Sequence, residues 1–193
     1  MKGSNKMKKG TIVLIAVIVV VAIVGFSVAG SYNSLVSARE AVNKQLSVID
    51  TQLQRRNDLI PNLVNTVKGY TSHESEILGQ IADARARLSG ASSTKDIAEA
   101  DSALSSAISR LLVVVENYPA LKADTQFSAL TDELAGTENR IAVARKDYND
   151  TANSYNTMIK TFPRVIFANL FGFTPVDYFQ AAEGAETVPQ VNF

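Results

Sequence analysis

Thr11 to Ala29 reads TIVLIAVIVVVAIVGFSVA, nineteen positions in a row without a charge. As an α-helix this run rises about 28 Å, close to the roughly 30 Å hydrocarbon core of a bilayer. Its valines and isoleucines would also suit a strand, but a lone strand leaves its backbone polar groups unpaired in lipid. The pattern therefore predicts a transmembrane helix over 11–30, behind a basic flank at 1–10. Ser27-Val28-Ala29 has the small-x-small form of a signal cleavage site, so removal of the run is the rival reading. The run exceeds the about 7–15 apolar residues of a signal core, and retention as an anchor is preferred.

Beyond it the apolar positions change period. Leu35, Val42, Ile49, Leu63 and Tyr70 share one seven-residue frame, and Leu46, Leu53, Ile60 and Val67 share its partner. Val36, Leu59 and Val64 widen the stripe, which suits a helix of a bundle better than a two-stranded coiled coil. The frame runs on through Ile77, Ile81, Ala84 and Leu88, so 32–89 could be one helix. Gly69, followed by Thr71 and Glu74 in capping-box spacing, argues for a break. A later stripe, Phe127, Leu134, Ile141, Tyr148, Tyr155 and Phe162, predicts a helix from about Asp124 to Thr161 that matches a first helix stopping near Gly69. Two shorter pieces lie between, about 72–88 and 94–117, the latter lined by Ile97, Leu104, Ile108, Leu111 and Val115. Short links at Ser89–Ser93 and Asn117-Tyr118-Pro119 favour antiparallel neighbours. The expectation is an all-α protein: a transmembrane helix, an antiparallel up-and-down four-helix bundle over 31–162, and a C-terminal apolar segment and tail over 163–193.

That last region begins FPRVIFANLFGF, with Phe162, Phe167, Phe171 and Phe173 in twelve residues. One reading is a membrane or subunit contact; the simpler one, preferred here, is a short helix and loop closing the end of the core. EGAETVPQVNF has no helical period and reads as an extended tail.

Charge adds direction. Lys2, Lys6, Lys8 and Lys9 precede the apolar run and every acidic residue follows it, so 15 of 19 basic residues face 19 acidic ones beyond residue 30, a net of −4. The positive-inside rule then puts the N-terminus in the cytoplasm and the bundle outside, as a single-pass protein of the cell membrane. A net acidic domain argues against nucleic acid as a partner. The absence of cysteine excludes disulfides, thiolate metal sites and a cysteine nucleophile.

Within QRRNDLIPNLVNTVKGYTSHE, residues 54–74, Pro61 sits inside the seam. A helical proline removes one N–H and disturbs the carbonyl four residues back, that of Asn57, at a cost of about 3 kcal/mol. A kink is expected there, with Arg55, Arg56 and Asn57 as nearby donors. Arg56 falls on the seam between Ile49 and Leu63 and must pair or reach water. Asp58 is within helical reach of Arg55, and Glu138 on the last long helix is a cross-helix candidate for Arg56. Arg55, Arg56, Asp58, Pro61 and Glu138 thus form a cluster read as a register device, with a partner-binding groove at the kink as the second reading. Glu138, Arg140, Arg145, Tyr148 and Asn149 are candidates for an inter-helix polar network, whereas Asp132, Glu133, Asp147 and Asp150 read as solvated faces.

Catalytic signals are weak. His73-Glu74 opens like H-E-x-x-H, but Ile77 stands where the second histidine belongs, and helix-start capping explains Glu74 more simply. No nucleophile elbow or phosphate loop occurs, and no nucleophile, base and oxyanion donor fall at workable spacing. No catalytic residue, cofactor, metal or small-molecule substrate is expected.

QRRNDLIPNLVNTVKGYTSHE, ENYPALKADTQFSALTDELAGTENRIAVARKDYNDTANSYN (residues 116–156) and FPRVIFANLFGF with the later YFQAAEGAETVPQVNF together resemble the LemA family of bacterial membrane-associated proteins. The resemblance runs from about Tyr32 to Phe193. It implies one N-terminal membrane segment and a four-helix bundle, and it implies no catalytic residues. The resulting expectation is a non-enzymatic scaffold or adaptor of the cell envelope. It is held in the bilayer by 11–29 and partnered by copies of itself or other envelope proteins. Lipid-interface binding through the phenylalanine-rich segment is the alternative, and an enzyme with an unrecognised site is a third.

Overall fold

The computed structural model describes residues 9–70 and 74–180. They form α1 (Lys9–Lys68), α2 (Ser75–Gly90), α3 (Thr94–Val115), α4 (Pro119–Lys122), α5 (Thr125–Lys160) and α6 (Arg164–Phe171). No strand occurs among the described residues, and the protein is all-α. Thr71, His73 and the tail from Ala181 onward lie outside them, so the capping role of Thr71, the His73-Glu74 motif and the tail are not described.

α1 is one helix from the apolar run through the first amphipathic stripe. Its apolar N-terminal part is long and apolar enough to cross a bilayer, with a mean hydropathy of 3.2 over its best window and no residue of that window buried by protein. A helix apolar on every side and unburied by protein is what lipid would solvate. Past Ala29 only one stripe is apolar. Pro61 lies inside α1, which stays helical to Lys68.

The chain divides into two compact units, one of Met1–Val42 with Asn153–Val176 and one of Asn43–Ala152 with Asp177–Phe193. The second holds the larger core. There α2 returns antiparallel to α1, with Arg85 Nε donating to Asn57 Oδ1 at 2.8 Å. α3 reverses again, and Arg110 Nη1 reaches Gln80 Oε1 at 3.2 Å. α5 runs antiparallel to α1, since Tyr70 meets Asp124 while Arg55 meets Glu133. Ile60, Leu63 and Val67 of α1 pack in one cluster with Ile81, Leu104 and Leu111, all at or near zero exposure. Burial of such side chains contributes about 1.5–3 kcal/mol each before chain entropy is subtracted.

Local chemistry sets the ends. Ser93 Oγ accepts the Asp96 amide at 3.0 Å and donates to Asp96 Oδ2 at 2.6 Å, starting α3 as a reciprocal cap. Asp124 Oδ1 accepts the amides of Gln126 and Phe127 at 2.8 and 2.9 Å, starting α5. Two expectations change here. The link at Asn117-Tyr118-Pro119 leads into a turn of helix, α4, because Pro119 occupies the helix position that needs no N–H. Glu74 stands at the N-cap of α2 but makes no side-chain cap; its carboxylate accepts the Tyr118 hydroxyl at 2.9 Å.

The Tyr70 hydroxyl lies 2.6 Å from Asp124 Oδ2, and this bond, with the α5 amides, holds the Asp124 carboxyl below its ordinary value of 3.8. A folded-state value below the unfolded one stabilises the fold above about pH 4, and that contribution is lost as pH falls through the folded value. Tyr70→Phe removes the main cause. Asp124 should then titrate at higher pH, and the acid-unfolding midpoint of the variant should lie above that of the parent. Carboxyl carbon shifts followed against pH read the first effect directly.

In the first unit, Leu35 and Val42 of α1 and Tyr155 and Ile159 of α5 are buried, and the Arg39 guanidinium lies 5.6 Å from the centre of the Tyr155 ring. α6 buries Ala168 and ends at Gly172, whose φ of 75° lies in the left-handed region and lets the Phe173 amide close back on the Ala168 carbonyl at 2.9 Å. The α5 stripe expected to end at Phe162 stops sooner. α5 closes at Lys160, so the seven-residue step no longer aims Phe162 inward, and that residue is 77% exposed.

Candidate functional site

The seam position at 56 holds an arginine that is 3% exposed. Its Nη1 lies 2.6 Å from Asp101 Oδ1, and its Nη2 donates to Ser105 Oγ at 3.0 Å, both on α3. Glu138 Oε2 of α5 is 2.7 Å from the same Nη1, an ion-pair contact whose angle does not make a hydrogen bond. Asp101, fully buried, takes a second guanidinium on its other oxygen, Arg145 Nη2 at 2.8 Å. Two guanidinium cations and two carboxylates therefore close a neutral cluster spanning α1, α3 and α5. Neutrality and mutual bonding are what make buried charge tolerable, because desolvation costs several kcal/mol per ion.

The remaining members of the expected cluster sit apart. Arg55 does not use Asp58: its Nη2 pairs with Glu133 Oε1 at 2.6 Å, while Asp58 Oδ1 accepts from Gln54 Nε2 at 2.8 Å. Asp58 is exposed, and a same-helix partner four residues back reaches it without taking Arg55 from its carboxylate on α5. Nor does Arg56 serve the carbonyl at the proline. Both of its terminal nitrogens are committed to other helices, and its Nε makes no hydrogen bond to protein. Glu133, expected as part of a solvated face, also meets Arg140 at 3.3 Å. Beside Pro61, between α1 and α2, lies a cleft of about 500 Å³ whose lining includes Ile60, Val64, Leu78 and Ile81, with Lys68 and Arg85 among the polar residues.

Asp101 and Ser105 escaped the sequence reading. A signal was present: Asp101 stands four residues after Ile97 and three before Leu104, inside the apolar stripe of α3, as Arg56 stands inside that of α1. Two charges of opposite sign on two buried stripes are natural partners. Among the described residues no three His, Cys, Asp or Glu side chains gather as a metal site.

A second arrangement lies on α5. In the first unit Tyr155 donates its hydroxyl to the Thr174 carbonyl at 3.0 Å, and Asn156 bonds both the N–H and the C=O of Val176 at 2.9 Å. In the second unit Tyr148 donates to the Asp177 carbonyl at 2.9 Å, and Asn149 bonds both main-chain groups of Phe179 at 2.9 Å. The same Tyr-Asn pair thus recurs seven residues along α5 and grips residues three apart. Phe179 is buried edge-on against Tyr148, and its ring lies 5.4 Å from Arg145 Cζ, next to the ionic cluster. Asn156→Ala removes both bonds to Val176. It should cost about 1–3 kcal/mol and speed amide exchange at Val176, which hydrogen exchange followed by mass spectrometry measures.

Of the phenylalanines, Phe171 and Phe173 meet Tyr32 edge-to-face at 5.0 and 5.9 Å. Phe167 and Phe173 are half-buried, Phe171 is largely exposed and Phe162 more so. The segment closes the core with one side and leaves the other open.

A family model described as the LemA family matches residues 45–193. The chain belongs to the LemA family. Curated relatives are similar along nearly the whole chain. Magnetosome protein MamQ 2 of Paramagnetospirillum magneticum is 26% identical over 95% of this chain and 78% of its own length. Magnetosome protein MamQ of Magnetospirillum gryphiswaldense is 25% identical over 98% of this chain and 81% of its own. Protein LemA of Metamycoplasma hominis is 28% identical over 86% of this chain and 76% of its own. A match over 98% of the chain takes in the apolar run as well as the helices that follow it. The chain is a membrane-associated helical protein of this family.

Proposed function

We propose that this LemA-family protein is a non-enzymatic scaffold or adaptor of the cell envelope: a single-pass anchor carrying a helical bundle that binds copies of itself or other envelope proteins. The observation that carries the reading is the continuity of α1, a single helix from the apolar run to Lys68. A helix that continues from the apolar run into the amphipathic stripe makes anchor and bundle share one element, which suits a tethered binding surface. The buried charge favours the non-enzymatic reading. Asp101 is engaged on both oxygens by guanidinium groups, an arrangement that suits a register device tying helices together.

The basic flank supports an N-terminus in the cytoplasm and a bundle outside it. Since the chain has no cysteine, a single cysteine at exposed Val143 reports the side it faces. A membrane-impermeant maleimide should label it in cells with a permeable outer layer; labelling only after the inner membrane is broken would reverse the orientation. Assembly is tested with photo-crosslinking residues at Val143 and at Gly79, where an added side chain meets nothing within 4 Å and faces the cleft beside Pro61. Discrete adducts with a second copy or one envelope protein are expected in cells. Only monomer at both positions, together with turnover by the purified protein, would replace this reading with an enzymatic one.

A further inference from the structure

Tyr32 stands three residues beyond Ala29, about 4.5 Å along α1 from the end of the apolar run. If residues 11–29 span the bilayer, that is headgroup depth, where tyrosine is favoured. Phe171 and Phe173 are held against Tyr32 at 5.0 and 5.9 Å, so the end of α6 sits at the same level. Its outer side is apolar. Ile166 and Leu170, one turn apart, are 55% and 71% exposed, and Phe162 just ahead of the helix is 77% exposed. Soluble surfaces avoid such a grouping. Charge points the same way. Within 30–42 and 153–176 the charged residues are Arg39, Glu40, Lys160 and Arg164, a net of +2, whereas the chain beyond residue 30 is net −4. Lys160 and Arg164 are exposed and flank Phe162.

We propose that α6 and its flanks form a collar on an anionic bilayer surface. Phe162, Ile166 and Leu170 enter the boundary between headgroups and acyl chains, and Lys160 and Arg164 bind lipid phosphates. The collar rests on the anchor reading above. Lipid is the occupant rather than a second α6 because the face lies within a few ångströms of the anchor's exit. A two-fold pairing of that face would also bring the same cations together. An amphipathic helix gains from both its apolar face and its basic flank when the leaflet is anionic. With an anchor already in place, the collar adds a second contact with the same membrane, at the level of the headgroups.

The chain contains no tryptophan, so one introduced tryptophan is a clean depth probe. The full chain carrying Leu170→Trp, and separately Val20→Trp at the middle of the apolar run, is reconstituted in vesicles of phosphatidylcholine and phosphatidylglycerol with acyl chains brominated near the headgroup or near their ends. The collar predicts strong quenching of the indole at position 170 by shallow bromines and of the indole at position 20 by deep ones. Adding Lys160→Glu and Arg164→Glu, or omitting phosphatidylglycerol, should weaken quenching at 170 and leave that at 20 unchanged. Quenching at 20 with none at 170 overturns the collar and leaves the anchor standing; no quenching at 20 overturns both. An unquenched indole at 170 whose emission shifts blue as protein density rises would make the face a contact between copies. Quenching at 170 that ignores both charge reversal and lipid charge would remove the anionic partner.

Discussion

Asp101→Ala is expected to lower the stability of the bundle by about 3–5 kcal/mol, read from urea denaturation of the full chain in detergent. Asp101 is fully buried and bridges Arg56 and Arg145. Without it, Arg56 keeps the neutral Ser105 hydroxyl and a single carboxylate, Glu138, whose side chain is 46% exposed and whose contact is poorly angled, so the charge of a desolvated guanidinium is left largely uncompensated. Arg56→Leu should cost less. Asp101 would retain Arg145, and leucine suits a seam position between Ile49 and Leu63. Replacing both, Arg56→Leu with Asp101→Leu, removes the buried ions together and should recover most of the loss, because apolar packing often matches or exceeds a buried ion pair. That ordering separates a register device from a main source of stability. If Asp101→Ala costs under about 1 kcal/mol, the cluster is not desolvated and this account of Arg56 fails.

The second large effect concerns the anchor, and magnitudes decide which variant is informative. Residues 11–29 contain thirteen Val, Ile, Leu and Phe side chains. At about −0.3 to −0.6 kcal/mol each on an insertion scale, they favour the membrane by about 4–8 kcal/mol at most. One central arginine costs about 2.5–3.5 kcal/mol on the same scale and leaves insertion favourable. Two cost about 5–7 kcal/mol and cancel most of it. Ile18→Arg alone should therefore remain in the membrane fraction, whereas Ile18→Arg with Val21→Arg should move a large part of the protein to the soluble fraction. Each fraction is quantified by immunoblot. A double variant as firmly membrane-bound as the parent would mean that something other than the apolar run holds the protein there.

Much of the helical layout was legible because a stripe of period 3.5 to 3.6 is hard to produce without a helix. Leu35, Val42, Ile49, Leu63 and Ile60, Val67 fall on the buried side of α1, as Phe127, Leu134, Ile141, Tyr148 and Tyr155 do on α5. Periodicity cannot say where a helix ends when the pattern outlasts it, which is why Phe162 looked like a core position. Polar contacts were less legible, because a charge in sequence has several reachable partners and only packing chooses among them. Arg55 had a neighbour in Asp58 yet meets Glu133 across a helix interface. Arg56 and Asp101 were detectable as charges on apolar stripes, but each belongs to a different helix and nothing local pairs them. The Tyr-Asn repeat at 148–149 and 155–156 was visible as letters. Its meaning depends on which main-chain groups after α6 meet those side chains, and nothing local in the sequence states that.

The place of the bundle at the membrane depends on the apolar run remaining part of the protein and holding it in lipid. Membranes washed in alkaline carbonate, which strips proteins bound only at the surface, should keep the chain. Its intact mass should include residues 11–29. A chain that is found in the wash, or whose mass shows it to begin after Ala29, would contradict the anchor and the collar that depends on it.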